Sequence, residues 1–424
     1  MRMFISLRYR VIANVRQMLS ARSFFILTCI SFAISVCWIQ FVDKRYFPPL
    51  NESLIREALE NVARDYRYAE VYRKTERLSD ETKFILLWTP EEIAPLSFFG
   101  HGQRAFITKN CSMINCYVTT DRSLFSGDLT KFHAIAFNGR NILNMRSSQL
   151  PNQRTPQQKY IFFNMESSEN YPICAQHFDD FFNWTSTYRL DSDLPYPYIQ
   201  IKKLDGQIVG PKRNMTWEET PSCINDDLYY RIRNKTKAVA WFVSNCKSKN
   251  NRLEVAKELQ KALLVYGHTV DIYGGCGTLK CPRSTEHDCN SFLERDYFFY
   301  LSFENSFAED YVTEKVLTAL LHDVVPIVYG GADYSRFLPP GSYLDARNST
   351  PQDLATTIAT LIKDPKTYSH YFRWRNSYTY RDPAVTDNVC AFCEAMNNED
   401  MMTSYSTYKN FRRWWNPHYE DRCR

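Results

Sequence analysis

The chain has 424 residues, 44% of them hydrophobic and 15% aromatic, enough for a large packed core and roughly two or three domains. The formal net charge is only +5. No stripe of Lys and Arg like that of a nucleic-acid binder is present, so nucleic acid is not an expected partner.

One concentration of charge stands at the start. Arg2, Arg8, Arg10, Arg16 and Arg22 precede the uncharged run SFFILTCISFAISVCWIQFV over residues 23–42. About 20 apolar residues at ~1.5 Å each span a bilayer, and arginines without acids on one flank point to the cytoplasmic side. The run is long for a cleaved signal and no small-x-small site follows it. We therefore expect a cytoplasmic tail (1–22), a retained single-pass anchor (23–42) and a luminal remainder. Residues 43–80 are charged, carry Pro48-Pro49, and place Leu54, Ile55, Ala58, Leu59 and Val62 at helical spacing, which reads as a partly helical stem.

Eleven of the thirteen cysteines follow the anchor, as do six Asn-x-Ser/Thr sequons. The acceptors expected to carry glycans are Asn51, Asn183, Asn214, Asn234 and Asn348. Asn110-Cys-Ser is the weaker sixth. Cys390-x-x-Cys393 reads as half a zinc site, a redox pair or, in a lumen, two disulfide partners, the last being favoured. Eleven is odd, so at least one thiol is free or pairs between chains.

Beyond the stem, FILLWT (84–89), HAIAFN (133–138) and KYIFFNM (159–165) are short, nearly continuous apolar runs, as parallel strands covered on both faces are. A second half begins near Lys235. AVAWFVS (238–244), TVDIYGG (269–275), YFFYLSFEN (297–305) and VVPIVYGG (324–331) read as strands. Residues 251–267, 310–323 and 350–364 read as amphipathic helices, the last with Thr350 and Asp353 as a capping-box variant. Strands alternating with helices of this length predict parallel α/β sheets, in two facing Rossmann-like domains: 81–225 and 236–400, followed by a tail over 401–424.

In such sheets ligands sit beyond the carboxyl ends of the strands. Glu304-Asn305-Ser306 lies at one such end, with a predicted helix directly after it whose free N–H groups suit a phosphate. On that helix Tyr311, Glu314, Lys315 and Thr318 share a face. A carboxylate there can grip ribose hydroxyls and an ammonium can meet a diphosphate. Ser244-Asn245 followed by Arg252 repeats the pattern, since Arg grips phosphate bidentately. Two such stations point to a nucleotide-diphosphate site. In the first half, KYIFFNM runs into Glu166-Ser167-Ser168-Glu169. Glu166 is the candidate base for a sugar hydroxyl, with Glu169 its rival. Asp191-Ser192-Asp193 has the form of a metal-binding Asp-x-Asp, which we discount in favour of cations and helix dipoles.

These residues together resemble the α1,3-fucosyltransferases of glycosyltransferase family 10. FYLSFENSFAEDYVTEK (299–315) is similar to that family's signature, VAWFVSNCKSKNNRL (239–253) to a second motif, and FNMESSE with FNWTSTYRLDSDLPYPY (182–198) to a third. SNC and YGGCGTLKCPR (273–283) look like invertebrate and plant enzymes that modify the N-glycan core. The resemblance implies a GT-B fold, an α/β architecture of two facing Rossmann-like domains after the transmembrane helix and stem. It also implies inverting transfer of fucose from GDP-fucose to O3 of an N-acetylglucosamine on a glycoprotein N-glycan acceptor, at the Golgi membrane and without an essential divalent metal. Carried over, Glu166 is the general base. Ser244, Asn245, Arg252, Tyr300, Asn305, Tyr311, Glu314 and Lys315 hold GDP-fucose, with Tyr198 reaching across from the other domain. The expected acceptor is the Asn-linked core residue. The alternatives are outer-arm N-acetyllactosamine and a silent GDP-fucose-binding paralogue. Phe298, Asn138 and Ala308 stand where the family commonly has Lys, His and Cys.

Overall fold

The computed structural model describes residues 26, 29–36, 82–219, 224–281 and 286–424. Within the anchor run, Ile26 and residues 29–36 are helical. The rest of that run, the cytoplasmic tail, the stem and Asn51 lie outside the described residues. Among the described residues no helix is long and apolar enough to cross a membrane.

Residues 73–424 form one compact unit holding two five-stranded parallel sheets. In the first, β1 (Lys83–Leu87), β2 (Cys116–Thr119), β3 (Ala134–Asn138), β4 (Lys159–Asn164) and β5 (Trp184–Thr187) lie in the order β2-β1-β3-β4-β5. In the second, β8 (Lys237–Phe242), β9 (Val270–Tyr273), β10 (Tyr297–Phe303), β11 (Val325–Tyr329) and β12 (Leu344–Asp345) lie in the order β9-β8-β10-β11-β12. Both orders are the doubly wound 2-1-3-4-5. The chain reverses direction between the first and third strands of each sheet, which opens a crevice at their carboxyl ends. This is the architecture expected from the sequence, and it fits a GT-B arrangement. The predicted strands recur within two residues at each end, because seven-residue runs such as β10 are buried on both faces. The shorter β2, β5, β12 and a three-stranded antiparallel sheet of β6 (Gln200–Lys203), β7 (Ile208–Gly210) and β13 (Tyr378–Arg381) were not legible as strands.

Three helices of the second lobe follow the predicted periodicity, α1 (Arg252–Leu263), α3 (Glu314–Leu321) and α4 (Pro351–Lys363), and a further one, α2 (Glu286–Asp296), was not predicted. The Thr350 hydroxyl caps α4 by accepting from Asp353 N at 3.1 Å, as the capping-box spacing predicted.

The domain boundary at 400 does not hold. α5 (Ala384–Asn397) is disulfide-bonded to the first lobe through Cys111–Cys390 and Cys116–Cys393. Phe411 and Trp415, both fully buried, pack with Phe162, Phe182 and Tyr188 in the first lobe's core. Residues 384–424 therefore return to the lobe that the chain left near 225, and 401–424 is a structural part of it. The apolar content of that stretch is confined to a few aromatics, too sparse for periodicity to reveal.

Ten of the eleven cysteines beyond the anchor are paired, the others as Cys174–Cys423, Cys246–Cys276 and Cys281–Cys289. The eleventh, Cys223, lies outside the described residues. Cys390 and Cys393 bond separately to the first lobe, so the zinc and redox-pair readings fall. One sequon is also corrected. Asn183 is 1% exposed, its amide donates to Ser406 O at 3.0 Å, and its oxygen accepts from Tyr160 N at 2.8 Å, so the folded chain has no room for a glycan on it. Asn110, Asn214, Asn234 and Asn348 are exposed.

Candidate active site

At the crevice of the second sheet, the ends of β8, β9 and β10 surround a cavity of about 350 Å³. Ser244, Asn245, Tyr300, Glu314 and Lys315 line it, with Phe242, Tyr273 and Asn290. Gly274 makes its floor. The residue has φ +101°, and a Cβ there would meet Val243 O at 2.5 Å, so only glycine lets β9 close against the end of β8.

Glu304 answers why a buried strand ends in so many polar groups. Its side chain is fully buried, and it accepts from Thr313 N at 2.8 Å and Thr313 Oγ1 at 2.9 Å. Lys315 Nζ lies 3.2 Å from its other oxygen and 3.1 Å from Glu314 Oε1. The carboxylate thus takes the place at the start of α3 that the sequence suggested for a phosphate, and the helix begins at Glu314, four residues later than predicted. Burial pushes the Glu304 carboxyl up, with Lys315 offsetting part of that. Burial also lowers the Lys315 ammonium, but Glu304 and Glu314 outweigh it and hold the group above its ordinary value. Lys315 stays cationic while a fifth of its side chain still reaches solvent.

Two residues stand elsewhere than the sequence suggested. Tyr311 precedes α3 and is buried against Tyr188 (ring centroids 4.8 Å apart) and Tyr198 (6.1 Å), away from the Glu314–Lys315 face. Arg252, 4% exposed, donates to Phe303 O at 2.6 Å and Asn245 O at 3.2 Å, lacing the ends of β10 and β8 together beneath the cavity. Its Nε has no protein partner.

Glu166 follows β4 on the opposing lobe. Its backbone N–H is held by Asn164 Oδ1 at 2.8 Å, its side chain is about a third exposed, and Arg140 lies 3.9 Å away. The hydroxyl of Tyr198 donates to Met165 O, the carbonyl adjoining Glu166, and does not reach the cavity. Burial raises that phenol well above its ordinary range, and the charges of Glu166, Glu314 and Glu304 push the same way. Glu169 is ruled out as a base, because it is 7% exposed and ion-paired with Arg422, Nε at 2.7 Å.

The lobes meet along polar contacts that the sequence did not disclose. Ser167 and Ser306 hydroxyls are 2.5 Å apart, and Asn170 Nδ2 donates to Asn305 Oδ1 at 3.0 Å, which puts Asn305 on the seam. Lys249 Nζ donates to Glu169 O. The Ser-rich ends of two strands were the available signal, but pairing across 139 residues is invisible to local pattern.

The Asp-x-Asp pair serves structure. Asp191 takes Arg189 at 2.8 Å and Trp414 Nε1 at 3.1 Å, and Asp193 takes Thr185 N and Tyr408 O–H, both at 2.8 Å. Among the described residues no group of three or more His, Cys, Asp or Glu is placed to hold a metal ion.

The sequence matches "Fucosyltransferase, N-terminal" over residues 80–199 and "Glycosyltransferase family 10 (fucosyltransferase) C-term" over residues 232–414. An alpha-(1,3)-fucosyltransferase C of Drosophila melanogaster is 36% identical over 80% of this chain and 79% of its own length. A glycoprotein 3-alpha-L-fucosyltransferase A of the same organism is 34% identical over 74% of this chain and 57% of its own. A Bos taurus 4-galactosyl-N-acetylglucosaminide 3-alpha-L-fucosyltransferase 9 is 29% identical over 92% and 97%. A crystal structure of an alpha1,3-fucosyltransferase with GDP-fucose overlays with a TM-score of 0.45 at 14% identity, over 79% of this chain and 97% of that one. The chain belongs to glycosyltransferase family 10. It is an enzyme, a GDP-fucose-dependent α1,3-fucosyltransferase.

Proposed function

We propose that the chain is a Golgi type II membrane enzyme that moves fucose, with inversion, to O3 of the Asn-linked core N-acetylglucosamine of N-glycans. One observation carries the mechanistic reading: the Ser167–Ser306 and Asn170–Asn305 hydrogen bonds pin the loop that carries Glu166 to the end of β10, on the lobe that holds the Glu314–Lys315 cavity. In this reading GDP-fucose lies in the cavity with its diphosphate toward Lys315. The Glu166 carboxylate removes the O3 proton, O3 bonds to fucose C1, and the C1–phosphate oxygen bond breaks with its electrons leaving on GDP. The β-linked donor then gives an α-linked product. Lys315 offsets the charge that grows on GDP. Arg252 acts from below by fixing Asn245 and the end of β10. Divalent metal is not required.

The core acceptor is supported by the greater identity to the glycoprotein fucosyltransferase than to the bovine relative. Five disulfides and four exposed sequons support a luminal head. The residues that depart from the family pattern have structural roles and do not favour a silent paralogue. Phe298 packs on Tyr368 in the core, and Asn138 caps the turn after β3 by accepting from Arg140 N at 3.0 Å.

The test is to incubate the full chain in detergent with GDP-fucose and a mixture of core N-glycopeptide and N-acetyllactosamine, then read mass and linkage. Fucose α1,3-linked to the core residue supports the reading. Fucose only on the outer arm overturns the acceptor. No product from folded, GDP-fucose-binding protein overturns the activity on both.

A further inference from the structure

The loop that carries Glu166 runs from Met165 to Cys174 and has little regular structure of its own. Four groups from one distant segment hold it. Trp415 Nε1 donates to Tyr171 O at 2.9 Å, and Asn416 Nδ2 donates to Ser168 O at 3.1 Å. Arg422 grips the Glu169 carboxylate, and Cys423 is disulfide-bonded to Cys174. Trp415 and Asn416 are both fully buried. On the other side, Ser306, Asn305 and Lys249 of the donor lobe take hold of the same loop. All four holding residues lie beyond the family match, which ends at 414.

We propose that residues 415–423 are a clasp that positions Glu166 against the donor cavity, with Arg422 and Trp415 as positioning residues for the transfer step. Without the clasp the loop would keep its donor-side contacts and three more, the Tyr188 hydroxyl accepting from Ser168 N at 3.0 Å, Tyr198 donating to Met165 O and Arg412 donating to Cys174 O at 3.2 Å, but it would lose every hold on Ser168 O, the Glu169 carboxylate and Tyr171 O and its covalent tie at Cys174. The Glu166 side chain has only a 3.9 Å approach from Arg140 to orient it, so its aim depends on its backbone. A base displaced by about 1 Å loses up to about a hundredfold in rate. The donor cavity shares no residue with the clasp, so donor binding is independent of it. The inference rests on Glu166 being the base.

The experiment compares full-length wild type, Arg422→Ala, Arg422→Lys, Trp415→Phe and Glu166→Gln in detergent. It measures kcat, donor KM, GDP binding and thermal unfolding. Trp415→Phe keeps an aromatic ring in the core while removing the hydrogen bond to Tyr171 and part of the indole's volume, and thermal unfolding reads the packing loss separately, so it remains informative if Arg422→Ala fails to fold. We expect Arg422→Ala and Trp415→Phe each to lose about tenfold in kcat while donor KM and GDP binding stay within about twofold. Arg422→Lys should recover part of the loss. Wild-type kcat in folded Trp415→Phe or Arg422→Ala, with Glu166→Gln inactive, overturns the clasp and leaves the base standing. So does a loss of kcat matched by an equal loss of GDP binding. Retained turnover in Glu166→Gln overturns the base assignment and the clasp with it.

Discussion

The two lobes share one strand order but finish their strand ends in opposite ways. At the donor-lobe crevice, Glu304 and Arg252 are buried and bonded to neighbouring groups, and Lys315 is fixed between two carboxylates. At the acceptor-lobe end, Glu166 and Arg140 are each more than a third exposed and barely touch. The donor end is therefore preorganised by charge, whereas the acceptor end is aimed by its backbone. A diphosphate brings the same charge every turnover and suits a fixed cage. In the proposed reading a glycan acceptor enters and leaves beside Glu166, whose side chain stays wetted.

The comparison can be broken at either end. Glu166→Gln should show the largest effect, a loss of kcat of about a thousandfold with GDP affinity and stability unchanged. Steady-state rates with isothermal titration of GDP would check it, and a matching loss of GDP binding would refute the separation of roles. Lys315→Met should do the reverse and damage binding and stability together, because it leaves Glu304 buried without its cation. A cost of about 3 kcal/mol and a drop in GDP affinity are expected, read by denaturant unfolding and titration. Gly274→Ala should raise donor KM about tenfold and leave the acceptor KM alone, since strain at a positive φ amounts to about 1–3 kcal/mol local to the cavity.

The smallest effect sharpens the contrast within one sheet. Lys235 sits at the opposite, amino end of the donor sheet, 5% exposed, and burial pulls its ammonium down to about 7 against the attraction of Asp323, Glu294 and Asp296. The folded state thus binds fewer protons than the unfolded chain between about pH 7 and 10.4. Stability contributed by this group rises with pH across that window, by at most about 1.4 kcal/mol per pH unit, and is flat below it. Lys235→Met should remove that slope in unfolding measurements taken from pH 7 to 9.

Much of this was legible in the sequence because the signals were local. Each central strand is a run of aliphatic and aromatic residues stopped by polar ones, so the strand ends, and with them Ser244, Asn245, Glu314 and Lys315, fell where expected. What failed depended on distant partners. Tyr311 read as part of a helix face because the spacing allows it, but Glu304 claims Thr313 and starts the helix later. Arg252 read as a phosphate ligand because Arg at a helix start often is one, and its additional hold on two strand-end carbonyls was not visible in the sequence. Asn183 matched a three-residue rule that carries no information on burial. The stretch 401–424 read only as a tail because its later residues fill gaps left by residues more than 200 positions earlier.

Three of the cross-links join positions 249, 277 and 279 residues apart. The donor lobe is thereby an insertion closed inside the acceptor lobe's covalent ring. A nascent chain cannot seal its first lobe until the second has been made, so the oxidised enzyme certifies that both lobes have been synthesised. A protease that nicks any donor-lobe loop should leave a molecule that runs as one piece on a non-reducing gel and as two after reduction.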